Sequence, residues 1–127
     1  MGPAGTGIVN PDKRIPALFF RTETGHEPTR EWLRRLDAED RQRIGEDIKT
    51  VEFGWPVGMP VCRPVGGGLF EVRSRLARNR IARVLFYVDD AGRMVLLHGF
   101  IKKTRSTPKD DLELAHDNMR RHKKGVP

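Results

Sequence analysis

One cysteine in 127 residues is too few for an internal disulfide or a cysteine-rich metal site, so Cys62 suits a reducing compartment and is expected to be inert. No stretch nears the roughly 18 apolar residues that span a bilayer. The opening residues also lack the apolar middle of a signal peptide, and the expectation is a cytoplasmic protein with no membrane association. Metal-ligand spacings are missing too. The nearest candidates, His116 and His122, are off a common helical face and are expected to face solvent, so neither a metal nor a cofactor is expected. Gly66-Gly67-Gly68 is not followed by the Lys-Ser/Thr and helix of a phosphate-binding loop, and no Gly-x-Ser-x-Gly elbow occurs. These read as turn glycines. The pair Asp89-Asp90 falls in a hairpin, where it solvates the turn, which leaves a two-carboxylate glycosidase or a metal nuclease nothing to work with.

What is present is charge, unevenly placed. The net charge is +7, yet residues 1–62 hold 9 Lys/Arg against 10 Asp/Glu, while residues 63–127 hold 15 against 7. The whole excess therefore lies in the second half, and a polyanion is the natural partner. A basic surface that confers only solubility is the bland alternative. With 37% hydrophobic residues, a chain of this length carries enough apolar material for one core and one domain.

The pattern along the chain is α+β. Residues 1–14, rich in Gly and Pro, read as a flexible N-terminal arm outside the fold; residues 15–123 form the domain and 124–127 a C-terminal tail. Ile15–Arg21 suits a first strand, which Pro16 confines to a strand start or an edge. Thr29 is placed to cap a short helix carrying Trp32, Leu33 and Leu36, and Asp37 a second in which Ile44, Ile48, Val51 and Trp55 form one apolar stripe. Together they predict a helical hairpin. Val61–Pro64 is a brief strand, and Leu69–Arg75, Ile81–Val88 and Met94–Ile101 predict an antiparallel meander turned at Ala77–Arg80 and Asp89–Gly92. A last helix after Thr107-Pro108 buries Leu112, Ala115 and Met119 and runs into Arg120, Arg121, Lys123 and Lys124.

The densest chemical signal is Arg73, Arg75, Arg78, Arg80 and Arg83, five arginines in eleven residues with no acid between them. Guanidinium forks suit phosphate oxygens. Strand alternation puts Glu71, Arg73 and Arg75 on one side of their strand, and Arg83 with Leu85 and Tyr87 on one side of the next, so Arg83 and Tyr87 are a candidate nucleotide grip. The alternative is a solvated sheet face with ordinary outward-facing arginines. His98, Phe100 and Lys102 share a face of the last strand, followed by Lys103. A four-residue loop at Asp89–Gly92 brings Arg83 opposite His98, whereas a one-residue slip sends the two to opposite faces. His98 is chemically apt as a general base or acid for cleavage of RNA by its own 2′-hydroxyl, although a strand histidine is as often a packed one.

The stretches GLFEVRSR, RIARVLFYV and VLLHGFIKKTRSTP, followed by a charged helix, resemble the phage-derived Gp49-like branch of the RelE/HigB toxin superfamily. The resemblance runs from Ala17 to Lys123. It implies a compact α+β domain with an N-terminal strand, a helical hairpin and an antiparallel sheet carrying the active surface. It implies the toxin of a type II toxin–antitoxin system, a metal-independent endoribonuclease that enters the ribosomal A site and cuts messenger RNA. Its partner would be a helix-turn-helix antitoxin of the HigA kind. By resemblance Arg73 and Arg83 hold the scissile phosphate and Lys102 and Lys103 form a basic end; the density of the arginine cluster itself adds Arg75, Arg78 and Arg80 as further RNA-binding residues. The departure is in the acid/base pair: some relatives place a histidine or tyrosine near the C-terminus, where this chain continues into a helix, leaving His98 or Tyr87 to substitute. On this reading Arg83→Ala relieves growth arrest and leaves the protein folded. The rival classes are a non-catalytic RNA- or DNA-binding module, such as a degenerate toxin acting in repression with its antitoxin, and a structural phage protein. The nuclease reading requires Arg73 and Arg83 to converge on one concave, phosphate-sized spot, and it fails if they point to opposite sides of the sheet or are tied up in buried carboxylate pairs with no open groove beside them.

Overall fold

The computed structural model describes residues 12–102 and 107–125. In chain order the elements are β1 (Ala17–Phe19), α1 (Pro28–Arg34), α2 (Ala38–Gly54), β2 (Cys62–Gly66), β3 (Leu69–Leu76), β4 (Arg80–Val88), β5 (Met94–Lys102) and α3 (Lys109–Gly125). The strands form one sheet in the order β1-β5-β4-β3-β2. β1 pairs parallel with β5, and every other pairing is antiparallel. The expected α+β architecture is the one observed. Pro16 stands just before β1, an edge strand, as a residue without an N–H must.

Both faces of the sheet are covered. On one face Ile44, Ile48 and Val51 of α2, with Trp32, Leu33 and Leu36 of the α1 region, pack on Val72, Ala82, Val84, Phe86, Met94 and Leu96. On the other, Leu112, Ala115 and Met119 of α3 pack on Leu69, Leu85, Tyr87, Val95, Leu97 and Phe100. This double covering explains why β4 reads as a nearly continuous apolar run instead of alternating with polar residues. The solvated sheet face offered as an alternative for the arginines holds for Arg75, which is exposed, and not for Arg83, which is buried. Each large aliphatic side chain so buried contributes about 1.5–3 kcal/mol relative to exposure.

Several local expectations are corrected. Thr29 does not cap α1; it is buried inside it, the N-cap position is Glu27, and Glu31 Oε2 reaches back to accept from the Glu27 N–H at 3.3 Å. Asp37 does stand at the N-cap of α2, but its side chain makes no capping bond. Lys13 and Arg14, placed in the arm by composition, are tied to α2: Lys13 Nζ lies 3.1 Å from Glu52 Oε2, and the Arg14 N–H donates to Glu52 O at 2.8 Å. At the other end Lys124 lies within α3. Asp89 does more than solvate its turn. Its Oδ1 accepts from the N–H groups of Ala91 and Arg93, and its Oδ2 from Arg93 Nε, which fixes the loop.

That loop decides the register of β5. Val88 pairs with Met94, so five residues, not four, connect the strands. In an unbroken ladder this slip would carry His98 to the α1/α2 face. A bulge intervenes: Phe86 pairs with Leu96 but Leu85 pairs with His98, so Leu97 is an extra residue and the alternation is reset. His98 returns to the α3 face, and Arg83 pairs with Phe100 instead of His98. The Leu97 carbonyl accepts from buried Asn118 Nδ2 of α3 at 3.0 Å. Gly99, just past the bulge, faces Trp32; a Cβ there would stand 2.3 Å from the indole ring. Among the described residues, no helix is long and apolar enough to cross a membrane.

Candidate functional site

Strand register lays three rows of side chains across the α3 face. The first reads Arg63, Glu71, Leu85, His98 from β2 to β5; the second Arg73, Arg83, Phe100; the third Arg75, Ile81, Lys102. Arg73 and Arg83 are therefore direct cross-strand partners on one side of the sheet, as the nuclease reading requires. Like charges placed opposite each other repel. The counter-charge is Glu71, two residues along β3 on the same face.

Glu71 is wholly buried. Its Oε1 lies 2.8 Å from Arg63 Nε, 3.6 Å from Arg73 Nε and 3.9 Å from Arg83 Nε. Its Oε2 accepts from Thr107 Oγ1 at 2.5 Å. The three arginines and this carboxylate carry a formal charge of +2 between them. Arg83 is also wholly buried, and burial pulls its guanidinium below its ordinary value, opposed by the Glu71 carboxylate. The expectation of an open phosphate-sized spot between Arg73 and Arg83 is thus corrected: a carboxylate occupies it, and Arg83 forms a floor that solvent does not reach. The Arg73 side chain retains 19% exposure. The open part of the cluster lies at the third row, where Arg75 and Lys102 are exposed on the same face.

The other candidates separate into those the fold brings to this face and those it uses elsewhere. Arg78 is exposed at the tip of the β3–β4 hairpin, with φ of 62° there and 58° at Asn79, a left-handed conformation that glycine and asparagine adopt most readily. Arg80 is a structural residue: its Nη1 and Nη2 donate to Asp40 Oδ2 and Oδ1 of α2 at 2.8 and 3.0 Å, clamping the hairpin to the helix. Its Nε donates to Ala77 O. Arg80, expected among the RNA-binding residues, is thus already engaged by Asp40. Lys103 lies outside the described residues.

Tyr87 is removed from the cluster. It stands two rows from Arg83 with Leu85 between, is buried, and its hydroxyl is 2.6 Å from His122 Nδ1. Burial pushes that hydroxyl up, away from the range of a base working near neutrality. The Arg83/Tyr87 nucleotide grip is therefore not formed. His122, expected in solvent, is partly covered by this contact, and burial pulls its imidazole down. His98 is on the correct face and partly exposed, diagonal to Arg83 in the ladder. Its Nε2 lies 2.7 Å from Asp111 Oδ1, and its ring stacks on Phe100 with centroids 5.4 Å apart.

Sequence reasoning missed Glu71, Arg63, Thr107 and Asp111 as members of the site. Parity had placed Glu71 beside Arg73; a lone acid in a basic and apolar strand was the available signal. Asp111 carried no local signal, because its partner is 13 residues away on another element. Cys62 is buried, and burial, with a contribution from Glu71, pushes its thiol up to about 11, in keeping with an inert residue. Among the described residues, no group of three or more His, Cys, Asp or Glu is placed to hold a metal.

A family model described as phage-derived Gp49-like protein (DUF891) matches residues 31–120, a span that runs from α1 into α3 and contains all three rows of the basic face. No curated protein matches the chain.

Proposed function

Because the chain belongs to the phage-derived Gp49-like family, a family associated with the toxins of toxin–antitoxin systems, we propose that it is a ribosome-dependent messenger-RNA endonuclease of the RelE/HigB kind. It acts in the cytoplasm and is silenced by a helix-turn-helix antitoxin. The observation that carries this reading is the graded basic face: Arg75 and Lys102 exposed at the rim, Arg73 half-open behind them, and His98 on the same side. In this scheme the rim holds phosphates flanking the cut. Arg73 faces the scissile phosphate, the buried Glu71 carboxylate holds it in place from behind, and Arg83 lies beneath as a second, unexposed positive charge. His98 moves the proton between the 2′-hydroxyl, the phosphate and the leaving 5′-oxygen.

One observation favours a second reading. With Glu71 between Arg73 and Arg83, the cluster also suits a module that binds RNA or DNA without cutting it. Mapping transcript 5′ ends after a brief pulse of expression separates the two: the endonuclease produces new breaks inside translated regions, and the module none. Arg73→Ala should lower cleavage roughly 10²–10³-fold, as loss of a donor aimed at transition-state charge does. Arg83→Ala no longer serves this purpose, because removing a wholly buried guanidinium disturbs the fold itself. Arg75→Ala with Lys102→Ala should weaken binding to single strands and lower the salt slope by about 1.4, at roughly 0.7 per phosphate contact. Full growth arrest by the Arg73→Ala protein would overturn the site assignment. Self-assembly with no effect on translation would mark a structural phage protein.

A further inference from the structure

We propose that Asp111 is a positioning residue for His98, fixing the imidazole as its Nε2–H form so that Nδ1 is the nitrogen offered to a reacting group; the catalytic part of this inference rests on the endonuclease reading above. The two side chains come from different elements, His98 from β5 and Asp111 from the first turn of α3. Their closest atoms, His98 Nε2 and Asp111 Oδ1, are 2.7 Å apart, and both side chains are mostly buried, with 18% and 15% exposure. A carboxylate accepts and does not donate, so the proton of this bond sits on Nε2. In the neutral ring that leaves the lone pair on Nδ1. Phe100 holds the ring from its face, with centroids 5.4 Å apart and planes 24° from parallel, so the imidazole is fixed both in its plane and at its edge.

The arrangement is part of a larger device. Thr107, just before α3, donates to Glu71, and Asp111, in its first turn, binds His98. Asp111 also lies close enough to Arg83 to favour its charged form. The start of α3 therefore sets both the arginine cluster and the histidine, and it completes the site as well as covering the sheet. Orientation of a histidine by a carboxylate through its second nitrogen acts on turnover more than on binding, because it governs which nitrogen exchanges protons.

The test uses the full chain with ¹⁵N-labelled histidine. Long-range ¹H–¹⁵N correlation spectra of the parent, taken at a pH where the ring is neutral, should show the His98 ring as the Nε2–H form. Asp111→Asn, whose side chain can also donate, should mix the two ring forms, and Asp111→Glu should restore the first. In ribosome-bound messenger cleavage, Asp111→Asn should lower kcat roughly 10- to 100-fold with KM within about twofold, and Asp111→Glu should recover part of the loss. A neutral parent ring protonated on Nδ1, or a neutral Asp111→Asn ring unchanged from the parent, overturns the proposal. Equal falls in binding and turnover overturn it as well, since a merely structural loss would act that way. If the parent cuts no RNA, the endonuclease reading fails by itself, and the ring spectra alone decide whether Asp111 sets the form of His98.

Discussion

Replacing Glu71 by glutamine keeps the shape of the buried cluster and removes the charge at its centre. The carboxylate accepts from Arg63 Nε at 2.8 Å and Thr107 Oγ1 at 2.5 Å, with Arg73 and Arg83 at 3.6 and 3.9 Å. Glutamine keeps only one of the two accepting oxygens, which can still take the Arg63 N–H, while its NH2 must face Thr107, whose hydroxyl can turn to accept; losing the carboxylate charge weakens each bond by about 1 kcal/mol, about 2 kcal/mol together. Mutual repulsion of the guanidinium groups adds to this, and the total should approach the roughly 3–5 kcal/mol seen when one partner of a buried ion pair is removed. Against a typical domain stability of about 5–15 kcal/mol the loss is large. Urea titration followed by tryptophan fluorescence should show the midpoint falling by about 1.5 M, for a loss of about 3 kcal/mol and a slope of about 2 kcal/mol/M. A Glu71→Gln midpoint equal to the parent's would refute Glu71 as the counter-charge of the arginine cluster.

Gly99→Ala should destabilise by about 1–3 kcal/mol, because the new Cβ would sit 2.3 Å from Trp32 Cζ3; Trp32→Leu in the same chain should recover part of the loss in the same titration. The Arg80 hydrogen bond holds the Asp40 carboxyl below its usual value, so its stabilisation is complete above about pH 4 and is lost as pH falls through the depressed folded-state value. Asp40→Asn should flatten that acid limb of the stability curve, and an unchanged limb would assign it to other groups. Cys62, with its thiol pushed up to about 11 and its side chain buried, should react with a thiol reagent at neutral pH only when the protein is unfolded; fast labelling of the native chain would contradict the packing.

The strands around the basic face were readable from sequence because each is short, apolar and bounded by turn residues. The three central strands lie within a residue or so of their expected limits, and the α2 stripe of Ile44, Ile48 and Val51 is buried as its spacing indicates. The placement of Arg73 and Arg83 on one side, which the nuclease reading requires, comes from the direct pairing of β3 with β4. The site's fine structure was harder to read, and His98 shows why. Its face depends on two events of one residue each, a five-residue loop held by Asp89 and a bulge at Leu97, and their effects cancel. Neither leaves a mark in the local pattern of hydrophobicity.

Composition and alternation along single strands fixed the α+β class, the basic second half and the arginine-rich hairpin, because those properties depend on residues close together in the chain. Which arginines remain reachable was decided only when α2 and α3 packed on the sheet. Asp40 took Arg80, Glu71 drew in Arg73 and Arg83, and Asp111 bound His98. Burial is the physical reason: a guanidinium covered by a helix needs a counter-charge, and the acid that supplies it can come from anywhere in the chain that the fold brings within reach.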